Sequence, residues 1–178
     1  MNMKPRLGTA LIYPVGDLIA QFTLQEFSLY RTLSLTFLAL AFYQWEIPRW
    51  FKMLDNFVVL KDKKINSLVA SFVLSDSGQL NWLGRTIGAI IYFNPLWIAR
   101  HMFFISLGNV GYSGLVDFNE LLLSSLMLGG KSFLINLPIS FIGNFIVQVK
   151  LKLEHRFLGS VILTNIMAIC YAIAYRFF

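Results

Sequence analysis

Residues 119–149 read NELLLSSLMLGGKSFLINLPISFIGNFIVQV, and in that whole run only Glu120 and Lys131 carry charge. A helix needs roughly 20 mainly apolar residues to cross a bilayer, and this run exceeds that length. It predicts a membrane-crossing helix, with Gly129-Gly130 and Pro138 as the points where such a helix is expected to bend or break.

Outward from this run the same pattern recurs. Apolar stretches at 7–25, 32–48, 86–107 and 157–176 complete a set of five with 119–149. The chain has 178 residues, of which 57% are hydrophobic and only 13% charged, with a mean hydropathy of +0.65. Soluble domains carry about 25% charged residues, so most of this surface is not built for water. The reading is an all-α integral membrane protein: a bundle of four to five transmembrane helices forming a single domain over 1–178, with no soluble domain. The one hydrophilic segment contains Lys61-Asp62-Lys63-Lys64 and runs into a weakly amphipathic stretch, 65–74, of the kind that lies along an interface.

The net charge of +6 does not indicate nucleic acid, because the basic residues are dispersed over short connections rather than gathered on one face. Topology accounts for them. With the N-terminus inside, the inner segments hold Lys4, Arg6, Arg49, Lys52, Lys61, Lys63, Lys64, Arg85, Lys150, Lys152 and Arg156, and only Arg31 and Arg176 fall outside. That asymmetry predicts five spans with the C-terminus outside, and Trp45, Trp50, Trp82 and Trp97 near span ends as an aromatic belt. Lys4 and Arg6 lead into an apolar run with no small-residue cleavage site, so it reads as a retained first helix. The single Cys170 excludes a disulfide framework.

Ionisable residues at depth are the informative ones, since an unpaired charge at the bilayer centre costs about 2.5–3.5 kcal/mol or more. Asp17 and Lys131 both approach the midplane in this reading and are expected as partners, whether in a structural ion pair or in a solute pathway. Arg100 and His101 fall toward the outer end of the third span, where an Arg can snorkel. Gln21, Asn94, Asn136, Asn144 and Gln148 add uncharged polar groups, which more often join helices than touch a solute. Pro95 and Pro138 free backbone carbonyls. The candidate pathway or buried polar set is Asp17, Gln21, Asn94, Arg100, His101, Lys131 and Asn144.

The chain shows no metal-ligand cluster, no glycine-rich phosphate loop and no serine elbow, so no catalytic residue, metal or cofactor is assigned. Asp17 and Asp117 are the only candidates for a membrane aspartyl-peptidase pair, and they are predicted at different depths.

Several strings resemble a known family. Gly16-Asp17 with Gln21 is similar to the glycine-aspartate-x3-glutamine signature of the Mpv-seventeen and peroxisomal-membrane-protein family. Arg31-Thr32-Leu33, then Trp50-Phe51-Lys52 with Leu54-Asp55 and Phe57, match it further, as do Pro138, Asn144-Phe145 and Arg156. Pro48, Leu137 and Phe141 depart from its pattern, and the family is usually described with four spans. A looser resemblance links Tyr92-Phe93-Asn94-Pro95-Leu96-Trp97 to the bacterial alanine-exporter family.

The first resemblance implies a small-solute channel of an organelle inner or peroxisomal membrane, or a prokaryotic relative, and the second implies amino-acid export. The expected function is a channel or transporter for small solutes. A bacterial alanine-type exporter and a structural or assembly subunit of a membrane complex are the alternatives. Its expected partners are the bilayer, a small solute and a homo-oligomeric or larger complex, with no nucleic acid. The lack of an arginine- and serine-rich presequence favours a bacterial inner membrane over a mitochondrial inner or peroxisomal one.

Overall fold

A computed structural model of the protein describes residues 4–59, 68–110 and 117–177, with side chains over 7–59, 70–110 and 117–170. Lys61–Lys64 and residues 111–116 of the connection 108–120 lie outside the described residues, as do the side chains of Lys4, Arg6 and Arg176. The described backbone is almost all helix, and its only β pairing is two isolated bridges, Val58 with Gln79 and Leu74 with Leu80.

The first rod is α1 (Lys4–Ala10) and α2 (Tyr13–Leu24), separated by a turn at Leu11-Ile12. Pro14 causes the break, because it has no N–H to offer the carbonyl of Ala10, and as an early residue of α2 it starts a new helix. The carbonyl of Ile12 accepts Nδ2 of Asn165, 3.1 Å away, and Asn165 Oδ1 accepts the N–H of Gly16 at 3.2 Å. α2 stops where Gln25 turns left-handed, at φ 58°. Ser28 then caps α3 (Leu29–Leu38), its hydroxyl accepting the N–H of Arg31. So short a connection forces α2 and α3 antiparallel.

α3 continues through a π-helical turn, Ala39–Tyr43, into α4 (Gln44–Asn56). A short α5 (Leu68–Val73) precedes α6 (Trp82–Gly88), which passes through a second π turn, Ala89–Phe93, into α7 (Asn94–Val110). Both π turns lie just N-terminal to a proline, Pro48 or Pro95, where the regular ladder loses a donor. Asn81 caps α6, its Oδ1 accepting the N–H groups of Leu83 and Gly84 at 2.9 Å each.

α8 (Phe118–Phe145) is capped by Asp117 and runs into a third π turn, Ile146–Lys150, after which α9 (Leu153–Phe177) completes the bundle. The break expected at Gly129-Gly130 or Pro138 does not occur: α8 is continuous through both. Glycine weakens a helix without stopping it, and packing against α7 and α9 holds the turn that Pro138 leaves one hydrogen bond short.

Among the described residues, five rods therefore alternate in direction. At one end Arg31 meets Asp17 and the backbone of Gly108. At the other, Asp55 meets Arg85 and Arg156. Leu7–Leu24, Trp82–Val110 and Phe118–Lys150 are long and apolar enough to cross a membrane.

α8 shows the packing logic. Its buried face is Leu121, Ser125, Gly129, Ser132, Asn136, Ser140 and Asn144. Its exposed face carries Leu123, Met127, Leu134, Ile135 and Ile142. Small and polar residues face the bundle while large apolar ones face out, the reverse of a helix in a water-soluble protein. A Cβ on Gly129 would sit 3.3 Å from the backbone of Ala99, so the small residue sets how closely α7 approaches. Trp50 and Trp97, expected in an aromatic belt, are instead buried at 8% and 5% exposure. Trp50 stacks on Tyr92 and Phe93, and Trp97 joins Tyr13, Tyr43 and His101 in the core, because each ring faces another rod rather than the outside.

Candidate functional site: a buried ion pair beside a cavity

Asp17 is 2% exposed, in the first half of α2. Its partner is Arg31, two residues into α3, whose Nε lies 2.9 and 3.1 Å from the two carboxylate oxygens and whose Nη2 also bonds Oδ1. Gln21, one turn along α2, donates Nε2 to Asp17 Oδ2 at 2.7 Å and accepts the N–H of Ser28 at 2.7 Å. Both carboxylate oxygens are thus saturated, and Gln21 locks the hairpin that brings Arg31 down onto Asp17. Such a pair is tolerated at depth because its charges are matched and hydrogen-bonded.

The expected pairing of Asp17 with Lys131 is overturned. Lys131 is exposed on α8 and has no ion pair or hydrogen bond among the described residues. The next residue, Ser132, is the one that turns inward, since a step of one residue rotates a helix by about 100°. Arg100 does not reach the ion pair either. It binds Glu46 of α4 at 2.7 Å and lies 5.3 Å from the Tyr43 ring centroid, so it is paired between rods rather than snorkelling free.

His101, toward the Arg31 end of the rod that ends at Val110, is buried at 4% exposure. It stacks on Trp97 with ring centroids 4.8 Å apart. Trp97 also meets Tyr43 at 5.6 Å and Tyr13 at 6.3 Å.

Asp17, Arg31, Trp97, His101 and Ser132 line a cavity of about 210 Å³. Exposed Glu26 and Asn109 also line it, which places its mouth at the Arg31 end of the bundle. Ala20, Met102, Ile105, Leu128 and Ala168 supply an apolar wall. Two buried nitrogens on its lining residues, Trp97 Nε1 and His101 Nδ1, have no hydrogen-bond partner. In a native fold such groups call for a ligand or water.

Beyond Trp97, toward the Asp55 end, lies a smaller void of about 20 Å³, room for one water. Asn94, Asn144, Gln148 and Ser160 line it, and Trp97 and Thr164 border both spaces. Asn94 and Asn144 both donate to the hydroxyl of Ser140. The sequence-derived set therefore divides: Asp17, Gln21 and His101 belong to the cavity region, Asn94 and Asn144 to the small void, and Arg100 and Lys131 to neither.

Arg31, Trp97 and Ser132 were not in that set. A signal for Arg31 was present in its position at the head of the helix after a short turn, since an Arg side chain there reaches back along an antiparallel neighbour. Asp117 caps α8, accepting the N–H of Asn119 at 2.8 Å, and makes no pair with Asp17.

No protein-family model, curated protein or solved structure matches the chain.

Proposed function

We propose that the protein is an integral membrane bundle of five spans that carries a small solute across the bilayer through the cavity beside Asp17 and Arg31. One observation carries the reading: a cavity of about 210 Å³ in the bundle, lined in part by the matched charge pair of Asp17 and Arg31. A helix bundle held together only for scaffolding has no need of such a space, and polar groups at membrane depth mark solute paths by default. The small polar void past Trp97 continues the line toward the other end, with Trp97 as the partition.

The Lys and Arg distribution supports an orientation with the Arg31 end outside and the Asp55 end inside. The resemblance to the Mpv-seventeen family agrees with this reading, because Gly16, Asp17, Gln21, Asp55 and Arg156, which carry it, are the residues that tie the rods together.

Purified protein in liposomes tests the function. Flux of small organic solutes above empty vesicles is expected, with a clear change on Trp97→Ala. Absence of flux, together with recovery of a stoichiometric membrane partner on native purification, replaces transport with an assembly role.

A further inference from the structure

Every guanidinium among the described side chains has an acid except one. Arg31 binds Asp17, Arg85 and Arg156 bind Asp55, and Arg100 binds Glu46. Arg49 makes no ion pair or hydrogen bond among the described residues and only stacks over Trp45, 5.9 Å from its ring centroid. It lines a groove of about 690 Å³ on the outside of the bundle, between α4 and α7, together with Glu46 and Arg100. Glu46 is half-used: Arg100 holds its Oε2 at 2.7 Å, and 42% of the side chain stays exposed. Neither charge lies at a rod end. Counted along the rod from Leu29 to Asn56, Glu46 is about 5 Å and Arg49 about 10 Å from the midpoint, within the roughly 15 Å half-thickness of a bilayer's hydrocarbon. A cation left there without an anion is costly.

We infer that a second copy of this chain covers the groove, in a two-fold dimer whose axis runs along the bilayer normal. Phe42, Glu46, Arg49 and Met53 follow one another at spacings of four, three and four residues, the seam spacing of two helices packed side by side. All four line the groove, and Phe42, Arg49 and Met53 are exposed. Copies inserted in the same orientation set α4 against α4 in parallel, so equal residues stand level. Glu46 of one copy is then about 4.5 Å in height from Arg49 of the other, within reach of both side chains. The same contact recurs across the axis, as an isologous interface requires, so the groove is complementary to itself. Phe42 and Met53 close the seam on either side of the charges. Each Glu46 ends up between the Arg100 of its own chain and the Arg49 of the other, the arrangement that Asp55 already has between Arg85 and Arg156. The excess of one positive charge per copy is therefore one that this fold carries elsewhere. The inference uses the membrane placement proposed above and is independent of transport.

In a Cys170→Ser background, Met53→Cys places one thiol per chain on the seam. Oxidation of the full chain in liposomes is expected to join that thiol to its counterpart in a second copy, whereas Leu134→Cys on the outer face of α8 stays uncrosslinked. Sedimentation in density-matched detergent is expected to give a dimer. Arg49→Glu should weaken it at least tenfold at an unchanged thermal midpoint, since each substitution removes two contacts by symmetry. A monomer at every concentration, an Arg49→Glu dimer of undiminished strength, or crosslinking through Leu134→Cys in place of Met53→Cys overturns the interface. A monomer that retains phosphatidylglycerol through Arg49 also overturns it and gives the groove to lipid. A crosslinked dimer without solute flux removes the transport reading and keeps the interface. Flux from a protein that stays monomeric does the reverse.

Discussion

Asp55 and Arg156 lie 101 residues apart in the chain, yet Arg156 Nη1 stands 2.8 Å from both carboxylate oxygens of Asp55. Arg85 binds the same carboxylate, so one acid ties the end of α4 to the starts of α6 and α9. The two arginines are seated alike: each donates Nε to the carbonyl five residues before it, Leu80 or Leu151, at 3.1 Å. Three rods are thereby fixed at the end opposite the cavity mouth.

Asp55→Asn leaves two guanidiniums facing each other without an acid. Removing one partner of a buried pair costs about 3–5 kcal/mol, and partial exposure here lowers the expected loss to about 2 kcal/mol. Unfolding in detergent measures it, and an unchanged midpoint would mean that the cluster does not hold the rods.

Arg31→Met strands Asp17 at 2% exposure and should cost about 3–5 kcal/mol. Adding Asp17→Asn should recover much of that loss, because no buried charge is then left alone. Lys131→Met, on the outer face of α8, should change stability by less than about 0.5 kcal/mol. A large loss for Lys131→Met, or no recovery in the double variant, would contradict the observed pairing.

Gly16→Ala would place a Cβ 2.6 Å from the Cα of Asn165, and backbone cannot step aside as a flexible side chain can. A loss of about 1–3 kcal/mol is expected as α2 and α9 are pushed apart. Gly130→Ala meets nothing within 4 Å and should be neutral or stabilising by up to about 1 kcal/mol. Comparing the two thermal midpoints checks the helix contact against simple glycine propensity.

In a Cys170→Ser background, single cysteines at Gln25 and Gln79 should react with a membrane-impermeant thiol reagent from opposite sides of sealed vesicles. Both positions are exposed, at opposite ends of the bundle. Labelling of both from one side would rule out the alternating five-span arrangement.

Much of the architecture is legible in the sequence. Apolar runs marked helical segments without fixing their ends: 86–107 falls four residues inside the start and three inside the end of Trp82–Val110, and 32–48 falls short of a rod that runs from Leu29 to Asn56. The spacing of Asp17 to Gln21 was also readable, since i and i+4 share a helix face. The partner of Asp17 was not. Lys131 and Arg31 are both basic, and depth in a linear sequence gives no angle about the helix axis. Trp97 shows the same gap: tryptophan near a span end suits an interface, and only the neighbouring rods convert it into a partition between two spaces.

The sequence by itself determined that this chain is helical and carries long apolar runs, because those properties follow from local composition and the length of uninterrupted runs. The tertiary structure decided which charges meet, which nitrogens stay unpartnered and where a cavity remains. Those depend on how five rods are rotated and how closely glycines such as Gly16 and Gly129 let them approach, and rotation and approach are properties of pairs of helices that no single run encodes.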